Sequence, residues 1–471
     1  MKLRFIFQAL FCLTPGFLYS QERPNILLII ADDLSTTVGV YGEQAIATPN
    51  MDAVAANGIY FKNAFCTASS CSPSRASVLT GRYPHQLKDG ANLWGTLPAE
   101  FPTYVKMLEN AGYFTGKNGK GWGPGAEAYG GYTNNPAGKN FKSFDEFLRT
   151  VPKNSSFCFW LGSGDPHRPY DSMLTRRTDF DTSHLTVPAW LPDNPEVRKD
   201  LKDYLAEAKR FDKKVGDAIA LLKANGLLDN TLIIITSDNG MPFPRAKATV
   251  YDSGSNIPLI MCWGNKLQKG KMYTELVSLV DIAPTIVEAA GIKRSPSFSG
   301  QSLLPLLLEN KSSRRFDAVF IERERHANVR KNNVGYPVRA IRTRDFLYIR
   351  NLRPERWPAG DPELGNKSFG DIDAGYSKQL LVNNRHHPAF AIWVAASLEK
   401  RPAEELYILK DDSAQLINVA FDKKYTKIKK ELSTRLDAWR KQTGDPLLDN
   451  STEVFDSYPY YGGRKSESAG K

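Results

Sequence analysis

Cysteine is scarce in this chain, five residues in 471, and the scarcity excludes a fold stapled by a disulfide framework. Cys12 lies in the N-terminal apolar run, and Cys158 and Cys262 fall in apolar, strand-like runs where a thiol packs as a small hydrophobe. Long apolar runs are missing too. After Ile6 to Tyr19, no segment approaches the roughly 18 apolar residues that would span a bilayer. Lys2 and Arg4 ahead of that run, with Pro15-Gly16 inside it, predict a secretory leader over residues 1–20, cut near Ser20. Bulky Phe11 before Cys12 argues against lipid attachment, so no membrane anchor is expected. The expected location is outside the cell or in the periplasm, or the lysosome in a eukaryotic host. An acidic balance is also absent. The formal charge is +11 and falls to +9 once Lys2 and Arg4 leave with the leader, which favours polyanionic partners. No helix-turn-helix, zinc finger or aromatic RNP pattern accompanies that charge, so a nucleic-acid partner is not expected.

What is present is a succession of uninterrupted apolar runs, each closed by polar residues. Asn25 to Ile30 has the length and composition of a strand buried on both faces, and Ala31-Asp32-Asp33 ends it. Two adjacent acids repel each other unless a cation holds them, so Asp32 and Asp33 predict a hard-metal site with oxygen ligands. Tyr60 to Phe65 reads as a second strand, and Phe157 to Leu161 as another that leads into Asp165-Pro166-His167-Arg168-Pro169. A histidine between prolines is held in place, and an ordinary pKa near 6.5 suits it to proton donation. Leu201, Leu205, Ala208, Phe211, Val215, Ala218 and Leu222 recur at helical spacing up to Gly226. That helix feeds a strand from Asp229 to Asp238-Asn239-Gly240. His326 is singled out as a candidate substrate contact.

Residues 66–82 carry the strongest signal. Cys71-Ser72-Pro73-Ser74-Arg75 followed by Leu79-Thr80-Gly81-Arg82 resembles the maturation motif of the type I sulfatases. Read bottom-up, the segment is a polar loop entering a helix at Pro73, with Cys71 near the positive end of the helix dipole, where an anion is welcome. The resemblance implies that Cys71 is oxidised to formylglycine (3-oxoalanine) by a formylglycine-generating maturation enzyme, and that its hydrate is the nucleophile. It also implies Ca²⁺ held by Asp32, Asp33, Asp238, Asn239 and the modified Cys71, and Arg75 holding the hydrate. Lys120 and Lys247 would bind the substrate sulfate, and His167 would protonate the leaving group. The family usually has a histidine two residues after the first lysine, whereas this chain has Gly121-Trp122-Gly123.

The implied fold is α/β, a large and mostly parallel sheet sandwiched by helices, with a smaller C-terminal antiparallel sheet plus helix, as in alkaline-phosphatase-like enzymes. The expected organisation is a catalytic domain over 21–335, an α+β subdomain over 336–450 and a flexible tail over 451–471. Within the family, SSCSPSRAS and SDNGMPFP look most like heparan sulfamidases. Lys247 and Trp122 differ from that pattern, so the expectation is sulfate-ester hydrolysis on a sulfated polysaccharide of ulvan or glycosaminoglycan type. An N-sulfoglucosamine sulfamidase and a phosphonate or phosphodiester hydrolase of the same superfamily are the alternatives, and a silent glycan-binding relative is a further one.

Overall fold

Strands without polar alternation must be covered on both faces, and Asn25–Ala31, Phe157–Gly162 and Thr231–Ser237 are buried throughout. The computed structural model describes residues 23–309, 317–449 and 453–462; the leader expected over 1–20 lies outside them. Seven strands form the large sheet: β1 (Asn25–Ala31), β2 (Ile59–Phe65), β3 (Phe114–Asn118), β4 (Phe157–Gly162), β5 (Thr231–Ser237), β6 (Leu259–Cys262) and β7 (Lys271–Ser278), in the order β3-β4-β1-β5-β6-β2-β7. Only β6 runs against its neighbours. β1 is central and entirely buried, with Leu28 in register with Trp160 on one side and Ile234 on the other.

Alternate residues of β1 serve two cores. Ile26, Leu28 and Ile30 join the core beneath the helices Cys71–Thr80, Tyr104–Asn110 and Ile282–Ala289, while Leu27, Ile29 and Ala31 join the opposite one under the thirty-residue helix Pro195–Ala224. The long helix starts at Pro195, capped by Asn194, six residues before its apolar pattern begins at Leu201. Asn194 and Pro195 start the helix, and Val197, buried in the same core four residues before Leu201, extends the apolar face into the first turn.

The second sheet is antiparallel, with β8 (Ala318–Arg323), β9 (Val338–Thr343), β10 (Phe346–Asn351) and β11 (Glu404–Ile408) in the order β11-β10-β9-β8. The helix Thr426–Thr443 lays Leu432, Leu436 and Trp439 onto it. Because β8 pairs with β9 along its whole length, this sheet begins at Ala318, ahead of the change in composition near 335. Its other face shares a core with Phe65, Val250 and Tyr251 of the large unit.

The flexible tail expected over 451–471 needs correction for residues 453–462. Phe455 is buried against Ala91, Leu352 and Leu447, Arg325 donates to the carbonyls of Tyr458 and Pro459, and the Tyr461 amide donates to Trp94 O at 2.8 Å. A serine-, glycine- and charge-rich composition suggested mobility, but Phe455 and Arg325 supply enough burial and hydrogen bonding to dock the segment.

Candidate active site

The carboxyl ends of β1, β3, β4 and β5 lie along one edge of the large sheet, where ligand sites of open α/β sheets collect. Chain close to this edge is packed backbone against backbone. A Cβ on Gly119 would lie 2.1 Å from Gly162 O, and Gly119 has a φ of 70°, so glycine alone lets the turn after β3 swing Lys120 over the end of β4.

Cys71 opens the helix Cys71–Thr80, with Ser70 extended ahead of it at φ −161°. The helix therefore begins two residues before the expected entry at Pro73, which sits within the first turn instead, and the thiol lies at the positive helix end. Cys71 Sγ is 3.6 Å from Asp32 Oδ1. Burial pushes the thiol well above its ordinary pKa, against Lys120 and Lys247, which pull it down. An unmodified Cys71 is thus a neutral thiol and a poor nucleophile.

The acids sit beside it. Burial would raise the Asp32 carboxyl, but Lys120 and Arg75 outweigh it and hold Asp32 far below the usual carboxylate range. Asp33, at φ 71°, accepts from Asn239 Nδ2 at 2.7 Å and Lys247 Nζ at 2.8 Å. Asp238 accepts from the Asp33 amide and from Arg75 Nε; burial is the main reason its carboxyl is pushed up to about 6, against Arg75. Oxygens of Asp32 and Asp33 and the sulfur of Cys71 all lie within 4.8 Å of one another. Asn239 is fully buried, yet its Oδ1 has no hydrogen-bond partner among the described residues. A buried amide oxygen left without a donor costs free energy unless a cation or water meets it. Three carboxylates and one orphaned amide oxygen at two strand ends fit a hard cation such as Ca²⁺.

Arg75 is fully buried and donates to Asp238, Ala31 O, Lys120 O and Gly121 O. These bonds fasten the ends of β1 and β5 to the turn after β3; the resemblance implies that Arg75 also holds the hydrate. Lys247, expected to bind sulfate, is buried between Asp33 and Asp373, whose oxygens are 2.8 and 3.0 Å from its Nζ. His167 stands at the rim, about a third exposed, with Nε2 3.8 Å from Asp33 Oδ2. Its loop is anchored by the next residue, Arg168, which grips Asp200 with two bonds of 2.7 and 2.8 Å. His326 is buried, bonded through Nδ1 to Ser70 Oγ at 2.8 Å, and burial lowers its pKa to about 4.

Asp32, Cys71, Lys120, His167, Lys247 and His326 all line one cavity of about 690 Å³. Asp33, Arg75, Asp238 and Asn239 lie directly behind this wall. Sequence reasoning missed Asp373, which lines the same cavity and whose carboxyl, raised by burial but lowered more by Lys247, His167 and His326, falls to about 2. Its only local mark is the pair of acids in Asp371-Ile372-Asp373. Trp122, where the family's histidine was expected, is buried in the cavity wall, its backbone clasped by Asn135 at 2.9 and 2.8 Å.

A family model described as Sulfatase matches residues 24–292, and one described as N-sulphoglucosamine sulphohydrolase, C-terminal, matches 245–361. An ulvan-active sulfatase of Formosa agariphila is 28% identical, the match covering 90% of this chain and 76% of that protein. The N-sulphoglucosamine sulphohydrolase of Homo sapiens is 29% identical over 91% of this chain and 92% of its own. Among solved structures, BT4656 in complex with its substrate D-glucosamine-2-N,6-O-disulfate superposes with a TM-score of 0.64 at 22% identity, covering 91% of this chain and all of that one. A phosphonate monoester hydrolase from Silicibacter pomeroyi gives 0.66 at 18% identity, over 90% and 96% of the two chains.

Proposed function

Since this chain belongs to the sulfatase family, whose members hydrolyse sulfuric esters, we propose that it removes sulfate esters from a sulfated polysaccharide or its oligosaccharides, as a secreted or periplasmic enzyme (lysosomal in a eukaryotic host). The observation that carries this reading is the convergence of Cys71, Lys120, Lys247 and His167 on one cavity backed by Asp33, Asp238 and Asn239. The names of the ulvan-active and N-sulphoglucosamine relatives support a sulfated sugar as the substrate class.

Maturation of Cys71 to 3-oxoalanine would supply the oxygen nucleophile that the neutral thiol lacks, and Cys71 Sγ marks where the oxygens of that group would stand. Asp32, Asp33, Asp238, Asn239 and residue 71 would hold Ca²⁺, which when bound polarises sulfate oxygens as a Lewis acid. The side chains of the chain itself do the rest. Lys120 and Lys247, held at the cavity floor by acids, neutralise charge on the sulfuryl oxygens. His167 stands at the rim, on the solvent side of Asp33, where it can hand a proton to a departing sugar oxygen. Arg75 keeps Asp238 and the turn carrying Lys120 in mutual register. Burial of Cys71 excludes bulk water from the reacting centre.

The test is a panel of O-sulfated and N-sulfated ulvan- and heparan-derived oligosaccharides, with a phosphonate monoester assayed in parallel, on protein whose residue 71 has been checked by peptide mass spectrometry. Release of sulfate from O-sulfated sugars is the expected result. The match of residues 245–361 to the sulphohydrolase C-terminal family favours sulfamate cleavage as a second reading, and faster release from N-sulfoglucosamine would establish it. Preference for the phosphonate would overturn both.

A further inference from the structure

Trp94 lies on the wall of the cavity that contains Cys71 and Lys120. Its backbone has a φ of 59°, in the left-handed region that a bulky side chain rarely adopts. The side chain is half-buried and, among the described residues, makes no hydrogen bond and no ring contact. Neither local propensity nor core packing explains its position. The surroundings impose it. Leu93 N donates to Arg325 O at 3.0 Å, Ala126 N to Gly95 O at 2.9 Å and Tyr461 N to Trp94 O at 2.8 Å. Asn92, fully buried, accepts from the Arg325 amide and donates to Phe455 O. A strained residue persists only where its neighbours over-determine it, and such residues gather at ligand clamps.

We propose that Trp94 is the platform on which a pyranose ring of the substrate stacks, and that the segment 453–462 is the strap that holds this platform in place. This deepens the glycan reading above and rests on it. An indole face offers a large apolar surface to the C–H face of a sugar, with few rotatable bonds to freeze. The lysines at the cavity floor recognise the sulfate, which every candidate substrate shares, so the wall has to discriminate the sugar. Trp122 lines the same cavity but is only 3% exposed, so its ring fills the wall instead of offering a face.

The experiment compares wild type, Trp94→Gly and Trp94→Phe in the full chain. Each is assayed on the ulvan- or heparan-derived oligosaccharide that wild type turns over fastest, and for inhibition of that turnover by inorganic sulfate, which has no ring to stack. Trp94→Gly should lose about tenfold or more in kcat/KM on the oligosaccharide, carried mainly by KM, and keep the wild-type inhibition constant for inorganic sulfate. Trp94→Phe should recover part of the loss. The Tm of Trp94→Gly should stay within a few degrees of wild type, since glycine adopts this backbone without strain. An equal weakening of sulfate inhibition, undiminished oligosaccharide turnover, or a large fall in Tm marking a packing role would each overturn the platform. Wild-type protein that turns over an aryl sulfate such as p-nitrocatechol sulfate and no sulfated sugar would instead refute the glycan reading, and this role with it.

Discussion

The ammonium of Lys120 lies 2.7 and 2.6 Å from the two carboxylate oxygens of Asp32, so a lysine read as a sulfate ligand and an acid read as a metal ligand share one ion pair. A cation held by Asp32 has to share that carboxylate with Lys120. Lys120→Ala should leave the buried acid short of positive charge and make folding more dependent on Ca²⁺, with a loss of about 1–3 kcal/mol in chelator that added Ca²⁺ restores. Thermal melts in EDTA and in millimolar Ca²⁺ test this. An identical response of wild type and variant would dissociate Asp32 from the metal.

Chelation should also remove the activity of the unmutated enzyme. If protein shown by elemental analysis to be metal-free kept its full rate, the assignment of Asp32, Asp33, Asp238 and Asn239 as ligands would be wrong.

Cys71→Ala should abolish turnover and leave the melting temperature nearly unchanged, because a small buried side chain is removed from a helix N-terminus without unpairing Asp32, Asp238 or Lys120. Peptide mass spectrometry of active wild type should find residue 71 oxidised. A fully active preparation carrying an intact thiol would sink the mechanism.

His167→Ala should cost about 10²- to 10⁴-fold on a sugar sulfate, whose alkoxide leaves poorly without a proton, and clearly less on a nitrophenyl sulfate. Comparison of kcat/KM on the two leaving groups decides it, and equal losses would remove His167 as the acid.

The pH dependence of stability should bear the mark of His326. Burial, helped by Lys247 and opposed by Asp371, lowers its folded pKa to about 4, while an unfolded histidine titrates near 6.5. Between those values the unfolded chain takes up a proton that the folded one refuses. Stability is therefore unaffected by this group above about pH 6.5 and falls as the pH drops toward 4, by about 3 kcal/mol in all. Denaturant midpoints at pH 7 and 4.5 should draw together in His326→Gln. Parallel pH profiles for variant and wild type would place the titration of His326 near its ordinary value.

The sequence by itself determined the strands β1, β2, β4 and β5 of the large sheet and half of the site. Runs such as Ile26 to Ile30 and Leu232 to Ile235 have no polar face to offer solvent, so they can only be central strands, and the acids that follow them must then fall at one sheet edge. Cys71 and Arg75 were legible because their motif is local, one turn of a helix. Tertiary structure alone decided what depends on residues far apart in the chain. Asp373 reaches Lys247 across 126 residues, and no spacing rule encodes that encounter. β8 joins the small sheet through pairing with β9, which a shift in composition near 335 could not mark. The polar stretch after residue 452 reads as tail until Phe455 finds its cleft. The left-handed backbone of Trp94 is imposed by partners at Arg325 and Tyr461. Local sequence fixes what burial and periodicity demand of each segment, whereas the pairing of charges and the strain of a single residue are set by neighbours that only the folded chain brings together.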